Sequence, residues 1–167
     1  FDAEMNVAVR NIDSDRGNLC VISLDSSFDK KSDLSRIKEY NVETYDRERD
    51  DNRAWWKKFY EKSSFTSSDE FLEMNWYASQ YLLAVCALNT DFPPGLYGNF
   101  ITVNRVNWKG DYHLNYNYQG PFYGACSSNH TELTDCYTAP IFDMRERGRQ
   151  FAERFLNQHG VFYPVGI

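Results

Sequence analysis

The clearest periodic segment of the chain lies at residues 67–90. Apolar side chains recur there at spacings of three and four residues, which predicts a helix that buries one stripe. The stripe consists of Phe71, Met74, Ala78, Tyr81, Val85 and Leu88. Ser67 and Glu70 fit a capping box at its start. The segment at 91–100, "DFPPGLYGNF", cannot continue the helix because it holds two prolines and two glycines, so we expect the helix to end at Asn89.

Weaker patterns frame this helix on both sides. Residues 1–31 hold two apolar runs separated by a turn-like segment, which predicts paired β-strands. Residues 32–50 are strongly polar in their second half and are interpreted as a linker. The region from 51 onward is predicted to be helical, with a last amphipathic helix at 141–160 that ends at Gly160.

Polar and apolar residues alternate in the run "GDYHLNYN" at residues 110–117. In an extended segment successive side chains point to opposite sides, so the polar residues would share one face. Those residues are Asp111, His113, Asn115 and Asn117. In a helix the two asparagines would point about 200° apart and could not converge. The run therefore predicts an extended, half-buried segment that presents its amides to one ligand.

Composition and charge restrict what that ligand can be. Aromatic residues make up 17% of the chain, and sugar-binding sites use such rings because they stack on the CH faces of a pyranose. A net charge of −6 without a basic stripe disfavours nucleic acid. No apolar run is long enough to predict a membrane span. The four cysteines show neither CxxC spacing nor histidines at metal-ligand spacing, so no metal and no other cofactor is expected.

Four segments, in this order, resemble a known catalytic domain. They are "RAWWKKFYEKS", a helix ending in "QYLLAV", "PPGLYGNF", and a tryptophan two residues before "GDYHLNYN". Together they resemble the six-hairpin glycosidases over residues 20–167, and the nearest named family is the family 95 glycoside hydrolases, which are inverting α-L-fucosidases. The resemblance implies a mainly α fold, the front part of an (α/α)6 toroid preceded by a linker helix and a short β remnant. The implied domains are the end of a β-sandwich-like region at 1–31, a linker at 32–50 and the first helical hairpins of the catalytic domain at 51–167.

The resemblance also implies two catalytic residues. In the family, a D-Y-x-x-N-x-N segment carries two asparagines that hold the attacking water, and these match Asn115 and Asn117 here. After the second asparagine the family continues with a segment that contains a glutamate, whereas this chain reads "YQGPFYGACSSNH". That departure suggests a sister family that acts on a different sugar.

The neighbouring polar and aromatic residues are candidates for substrate binding. Asp111 and His113 could bind sugar hydroxyls, and Trp108 could stack on a sugar ring. Each candidate also has a structural interpretation. The asparagine amides can close turns of the loop, His113 can be a hydrogen-bonded structural group, Asp111 can anchor the turn at Gly110, and Trp108 can belong to the core.

Inverting hydrolysis needs a general acid and a general base, and an asparagine amide is neither. In the family these carboxylates lie on later helices, so we expect the chain to be a fragment that is inactive when isolated. The expected function is hydrolysis of an α-glycoside such as an α-L-fucoside, with an oligosaccharide or glycoside as the partner. The alternative is a non-catalytic carbohydrate-binding or structural domain. An extracytoplasmic location is expected from the family alone.

Overall fold

The computed structural model describes residues 4–27 and 34–166. The chain forms two compact units, which divide in sequence between Tyr60 and Glu61. The first unit contains a β-hairpin and a long helix, and the second contains helices joined by loops. The described chain is therefore mainly helical, as its sequence predicts. A helix with the length and apolar character needed to cross a bilayer is not found within the described ranges.

The predicted paired strands are present in the first unit. Strand β1 (Met5–Ser14) pairs antiparallel with β2 (Gly17–Ser26). The tight turn between them uses Gly17 at a φ of +117°, which residues with a side chain rarely adopt. The guanidinium group of Arg10 donates hydrogen bonds to the carbonyls of Ile37, Lys38 and Tyr40. These bonds hold the hairpin against the short 3₁₀ segment that follows it, Leu34–Lys38.

Helix α1 (Val42–Tyr60) is continuous. The division at residue 50 between the predicted linker and the predicted helical domain therefore falls inside one helix. Its polar middle is stabilised by ion pairs of Asp46, which lies 2.9 Å from Arg49 and 2.7 Å from Arg16 of the hairpin. Charges of opposite sign three residues apart stabilise a helical segment that has few apolar side chains to bury.

Helix α2 (Glu70–Ala87) opens the second unit. Its N-cap is Asp69, whose carboxylate accepts hydrogen bonds from the backbone N–H groups of Phe71 and Leu72 at 3.0 and 3.3 Å. The predicted capping box beginning at Ser67 is therefore wrong. Asp69 takes this role because its short side chain reaches two of the free N–H groups of the first turn. The helix also ends slightly earlier than predicted, with Leu88 as its C-cap.

The apolar stripe predicted to be buried on α2 is mostly exposed. Phe71, Met74 and Tyr81 keep 67%, 60% and 44% of their surface accessible. The buried residues of this helix are Gln80, Ala84, Cys86 and Ala87. Their face lies against α3 (Tyr116–Ser127) and a 3₁₀ turn at Thr131–Thr134. The small side chains of Ala84, Cys86 and Ala87 allow close helix packing, which large residues such as Phe71 and Met74 would prevent.

The predicted last helix is two helices. Helix α4 (Ala139–Asp143) and helix α5 (Arg145–Leu156) meet at Met144, which caps both. The residue that ends α5 in the left-handed conformation is Asn157, with a φ of 49°, and not the predicted Gly160. Asparagine tolerates this conformation better than most residues do, so it can replace glycine at a helix end.

Candidate active site

The alternating run at residues 110–117 is extended only in its first part. Asp111 has extended backbone angles, and His113 forms an antiparallel bridge with Gly166. A turn at residues 114–115 then leads into α3, which begins at Tyr116. The prediction that the whole run is extended is therefore wrong for its end. Asn115 is the N-cap of α3, and Asn117 lies in the first helical turn.

A second periodicity explains why the helix begins there. Tyr118, Phe122 and Ala125 are buried and follow each other at spacings of four and three residues, as one helical face requires. The hydroxyl of Tyr118 donates to the carbonyl of Tyr137 at 2.6 Å, and the two rings stack with centroids 4.9 Å apart. Burial raises the pKa of Tyr118 strongly, so its phenol stays protonated and keeps donating this bond. The first turn of α3, and with it Asn117, is fixed by this aromatic contact.

The three predicted substrate-binding residues form one cluster. The Nδ1 atom of His113 lies 2.9 Å from Oδ1 of Asp111, and both side chains are about three-quarters buried. The imidazole ring lies 5.5 Å from the ring of Trp108, at an interplanar angle of 47°. This bond to the carboxylate fixes the orientation of the imidazole.

Trp108 is the exposed member of this cluster. Its side chain is 63% accessible, so the interpretation as a core residue is not supported by its burial. Its φ is 49°, Lys109 follows at 58° and Gly110 at 69°. Left-handed backbone is unfavourable for residues with a Cβ, and such positions cluster at functional sites. An exposed indole held by a strained turn is a suitable platform for a sugar ring.

A cavity of about 320 Å³ lies between α2, the loop at 94–100 and α3. Asn117 is one of its lining residues, together with Ser79, Cys86, Leu96, Tyr97 and Tyr118. Among the described residues, neither Asn115 nor Asn117 has a hydrogen-bond partner for its side chain. Their amides are therefore not used to close turns of the loop. Asn115 and Asn117 are both exposed, and of the two only Asn117 is among the residues that line the cavity.

The loop "PPGLYG" connects the cavity with the cluster. The backbone N–H of Leu96 donates to the carbonyl of Asp111 at 3.0 Å, and the hydroxyl of Tyr112 donates to the carbonyl of Pro93 at 3.1 Å. Gly95 permits this close approach, because a Cβ there would lie 2.8 Å from the carbonyl oxygen of Gly110. The same loop thus forms a wall of the cavity and supports the backbone of the cluster.

Gly166 is a residue of the site that the sequence did not single out. A Cβ on Gly166 would lie 2.5 Å from Oδ2 of Asp111 and 3.8 Å from Nδ1 of His113. The neighbouring carbonyl of Val165 accepts a hydrogen bond from Leu114 at 2.6 Å. The only sequence signal was a glycine in an apolar terminal segment, which does not indicate a partner more than fifty positions away.

The structure thus brings Trp108, Asp111 and His113 together and places Asn117 on a cavity wall, with Asn115 outside the cavity. Within residues 4–27 and 34–166, no group of three His, Cys, Asp or Glu side chains is arranged to hold a metal ion. The described part of the site therefore consists of amides, hydroxyls, aromatic rings and one Asp–His pair.

The family model of the glycosyl hydrolase family 95 catalytic domain matches residues 33–165. No curated protein and no solved structure matches the chain. The matched range includes the cluster, the cavity walls and the segment that follows Asn117, so that segment does not place the chain in a sister family. The chain therefore belongs to glycosyl hydrolase family 95, as a catalytic domain of that family.

Proposed function

We propose that this domain serves in the inverting hydrolysis of an α-glycoside such as an α-L-fucoside, with Asn117 and Asn115 positioning the attacking water. The observation that carries the proposal is the amide of Asn117 on the wall of a cavity, without a partner among the described residues. Family membership supplies the reaction class, which is glycoside hydrolysis.

An asparagine amide suits the positioning of water and cannot do more than that. Its oxygen accepts a hydrogen bond from water and its NH₂ group donates two, which together orient a lone pair of the water. The proton that the water loses must go to a carboxylate, and the leaving oxygen needs a general acid. The proposal assigns both groups to carboxylates outside residues 1–167, on later helices of the toroid.

The cluster of Trp108, Asp111 and His113 is proposed to hold a sugar ring. The indole offers an exposed apolar face, while the imidazole Nε2 and the carboxylate offer hydrogen-bonding groups of fixed orientation. Such groups bind the ground state and the transition state alike, so their loss raises KM more than it lowers kcat.

One observation favours the alternative, a domain that binds carbohydrate without hydrolysing it. No described residue that lines the cavity carries a carboxylate. Carbohydrate binding without turnover by the protein that contains this domain, with the matched residues intact, would select this alternative.

The test is Asn117→Ala in the catalytically competent protein that contains this domain. We expect kcat on an aryl α-L-fucoside to fall by on the order of 100-fold with little change in KM, because displacing the water by about 1 Å costs that much. Asn115→Ala is expected to act in the same way. The control is Asn104→Ala, which alters an exposed loop asparagine that is not among the residues lining the cavity. Near-normal kcat in both site variants would contradict the proposal.

A further inference from the structure

A second groove, of about 390 Å³, lies between α2 and the C-terminal half of α3. It shares Ser79, Leu83 and Pro121 with the cavity that Asn117 lines, so the two recesses adjoin. Its lining comes from both helices, from Phe65 before α2, from Ser128 at the end of α3 and from Leu133 of the 3₁₀ turn. Nothing in the proposed catalytic chemistry uses this groove.

A buried amide without a partner lies in the wall of this groove. Gln80 is only 7% exposed, and both polar atoms of its side chain lack a hydrogen-bond partner. Burying an unpaired amide costs free energy, and an apolar side chain of similar size at this position would avoid that cost. Because both atoms are themselves buried, the Gln80 side chain must rotate toward the groove before a ligand that offers a donor and an acceptor can satisfy them.

The other polar groups of the groove offer lone pairs. The hydroxyl of Ser79 donates to the carbonyl of Asn75 at 2.7 Å, and that of Ser128 donates to the carbonyl of Gly124 at 2.7 Å. Because each proton is already used within its own helix, the hydroxyl oxygens are left as acceptors. Acceptors of this kind favour a ligand that carries hydrogen-bond donors, and the O–H groups of a sugar are such donors.

Apart from Asn75 and Ser127, the remaining lining is aromatic, aliphatic or glycine, and none of it is charged. The rings of Phe65 and Trp76 stack with centroids 5.8 Å apart and 28° between their planes. None of the described residues that line the groove is Asp, Glu, Lys, Arg or His. A phosphate or carboxylate ligand would find no counter-charge here, whereas a neutral ring with hydroxyl groups finds both an apolar surface and hydrogen-bonding partners.

We propose that this groove binds a neutral sugar ring, with the amide of Gln80 as its polar anchor. Since the groove adjoins the cavity of Asn117, the ring belongs to the same oligosaccharide whose terminal residue enters that cavity. This last step rests on the proposed function, but binding to Gln80 does not. Sugar binding at the groove is measured without turnover. An absence of hydrolysis and an absence of binding at the groove are therefore separate results.

The first experiment uses the unaltered chain. Its ¹⁵N-labelled side-chain amides are followed by NMR during titration with L-fucose, D-galactose, L-rhamnose and lactose, and with D-glucuronate as a charged comparison. We expect at least one neutral sugar to shift the Gln80 amide signals and D-glucuronate to leave them unchanged. No shift with any neutral sugar would overturn the proposal, and so would a shift produced only by D-glucuronate.

The second experiment compares two glutamines. Gln80→Leu is expected to weaken binding of the active sugar about tenfold or more and to leave Tm equal or higher, because an unpaired amide is removed. Gln119→Leu is the matched control, since the Gln119 amide donates to the carbonyl of Leu114 at 3.1 Å. It should lower Tm without weakening the binding. If Gln80→Leu does not fold, Gln80→Met provides the same comparison. Unchanged sugar affinity in the folded Gln80 variant would overturn the proposal.

Discussion

The carboxylate of Asp111 lies between two partners, the imidazole of His113 at 2.9 Å and the backbone of Gly166. One carboxylate oxygen bonds to the ring, and the other faces the position where a Cβ of residue 166 would be. The orientation of the Asp–His pair therefore depends on a residue without a side chain at the far end of the unit.

Gly166→Ala is expected to lower the free energy of unfolding by about 1–3 kcal/mol, because the new methyl group would lie 2.5 Å from Oδ2 of Asp111. Urea unfolding measures this. In the double variant with Asp111→Ala the clash is absent, so the two effects should not add. Gly120→Ala is the control, because its Cβ would meet only the Tyr116 ring at 3.6 Å. Simple additivity of the two substitutions would show that the carboxylate and residue 166 are not coupled.

Trp108→Gly and Lys109→Gly form a matched pair, because both residues have a left-handed φ, 49° and 58°. Each substitution should raise the free energy of unfolding by about 1 kcal/mol by removing an unfavourable Cβ. Only Trp108→Gly should weaken sugar binding, since only the indole contacts His113. Thermal unfolding and titration calorimetry measure the two effects. Equal loss of binding in both variants would assign the effect to the backbone and not to the ring.

Acid sensitivity is expected to depend on Glu132, which lies 2.6 Å from Nζ of Lys62 and 3.1 Å from Nδ1 of His130. Burial raises the pKa of Glu132, but hydrogen bonds from Lys62, the backbone and His130 lower it by more than burial raises it. The pKa of Glu132 therefore lies below the ordinary 4.5. A lowered folded-state pKa stabilises the fold above the unfolded-state value, and this stabilisation is lost as pH falls through the folded-state value.

The free energy of unfolding of the unaltered chain should therefore fall more steeply below pH 4.5 than that of Glu132→Gln. Urea unfolding across this pH range measures the difference. Glu153→Gln is the control, because Glu153 is exposed and forms no ion pair with a described residue. Parallel pH profiles for Glu132→Gln and the unaltered chain would contradict the assignment.

The exposed face of α2 should cause the isolated chain to self-associate. Phe71 and Met74 are 67% and 60% accessible on neighbouring turns, and such a patch promotes association. Phe71→Glu combined with Met74→Gln is expected to raise the monomer fraction in light scattering. Phe142→Gln removes a similarly exposed ring from another helix and should change it less. A monodisperse, reversibly unfolding monomer of the unaltered chain would contradict this expectation.

Local patterns in the sequence were sufficient to locate most elements. The hairpin and α2 could be predicted because alternation and helical spacing are properties of the chain itself. The pairing of Asp111 with His113 follows from the same rule, since residues two apart share a face of an extended segment. The left-handed turn at Trp108 had no such signal, because tryptophan is not a residue that favours it.

Tertiary packing alone decided which side of α2 is buried and where the extended segment ends. Helix α2 is apolar on several sides, so its spacing could not distinguish the face with Ala84 from the face with Phe71. Asn117 is helical because the buried ring of Tyr118 packs on Tyr137, nineteen residues further along the chain. A contact between residues so far apart leaves no local periodicity, and burial of the ring outweighs the period-two pattern of the segment before it.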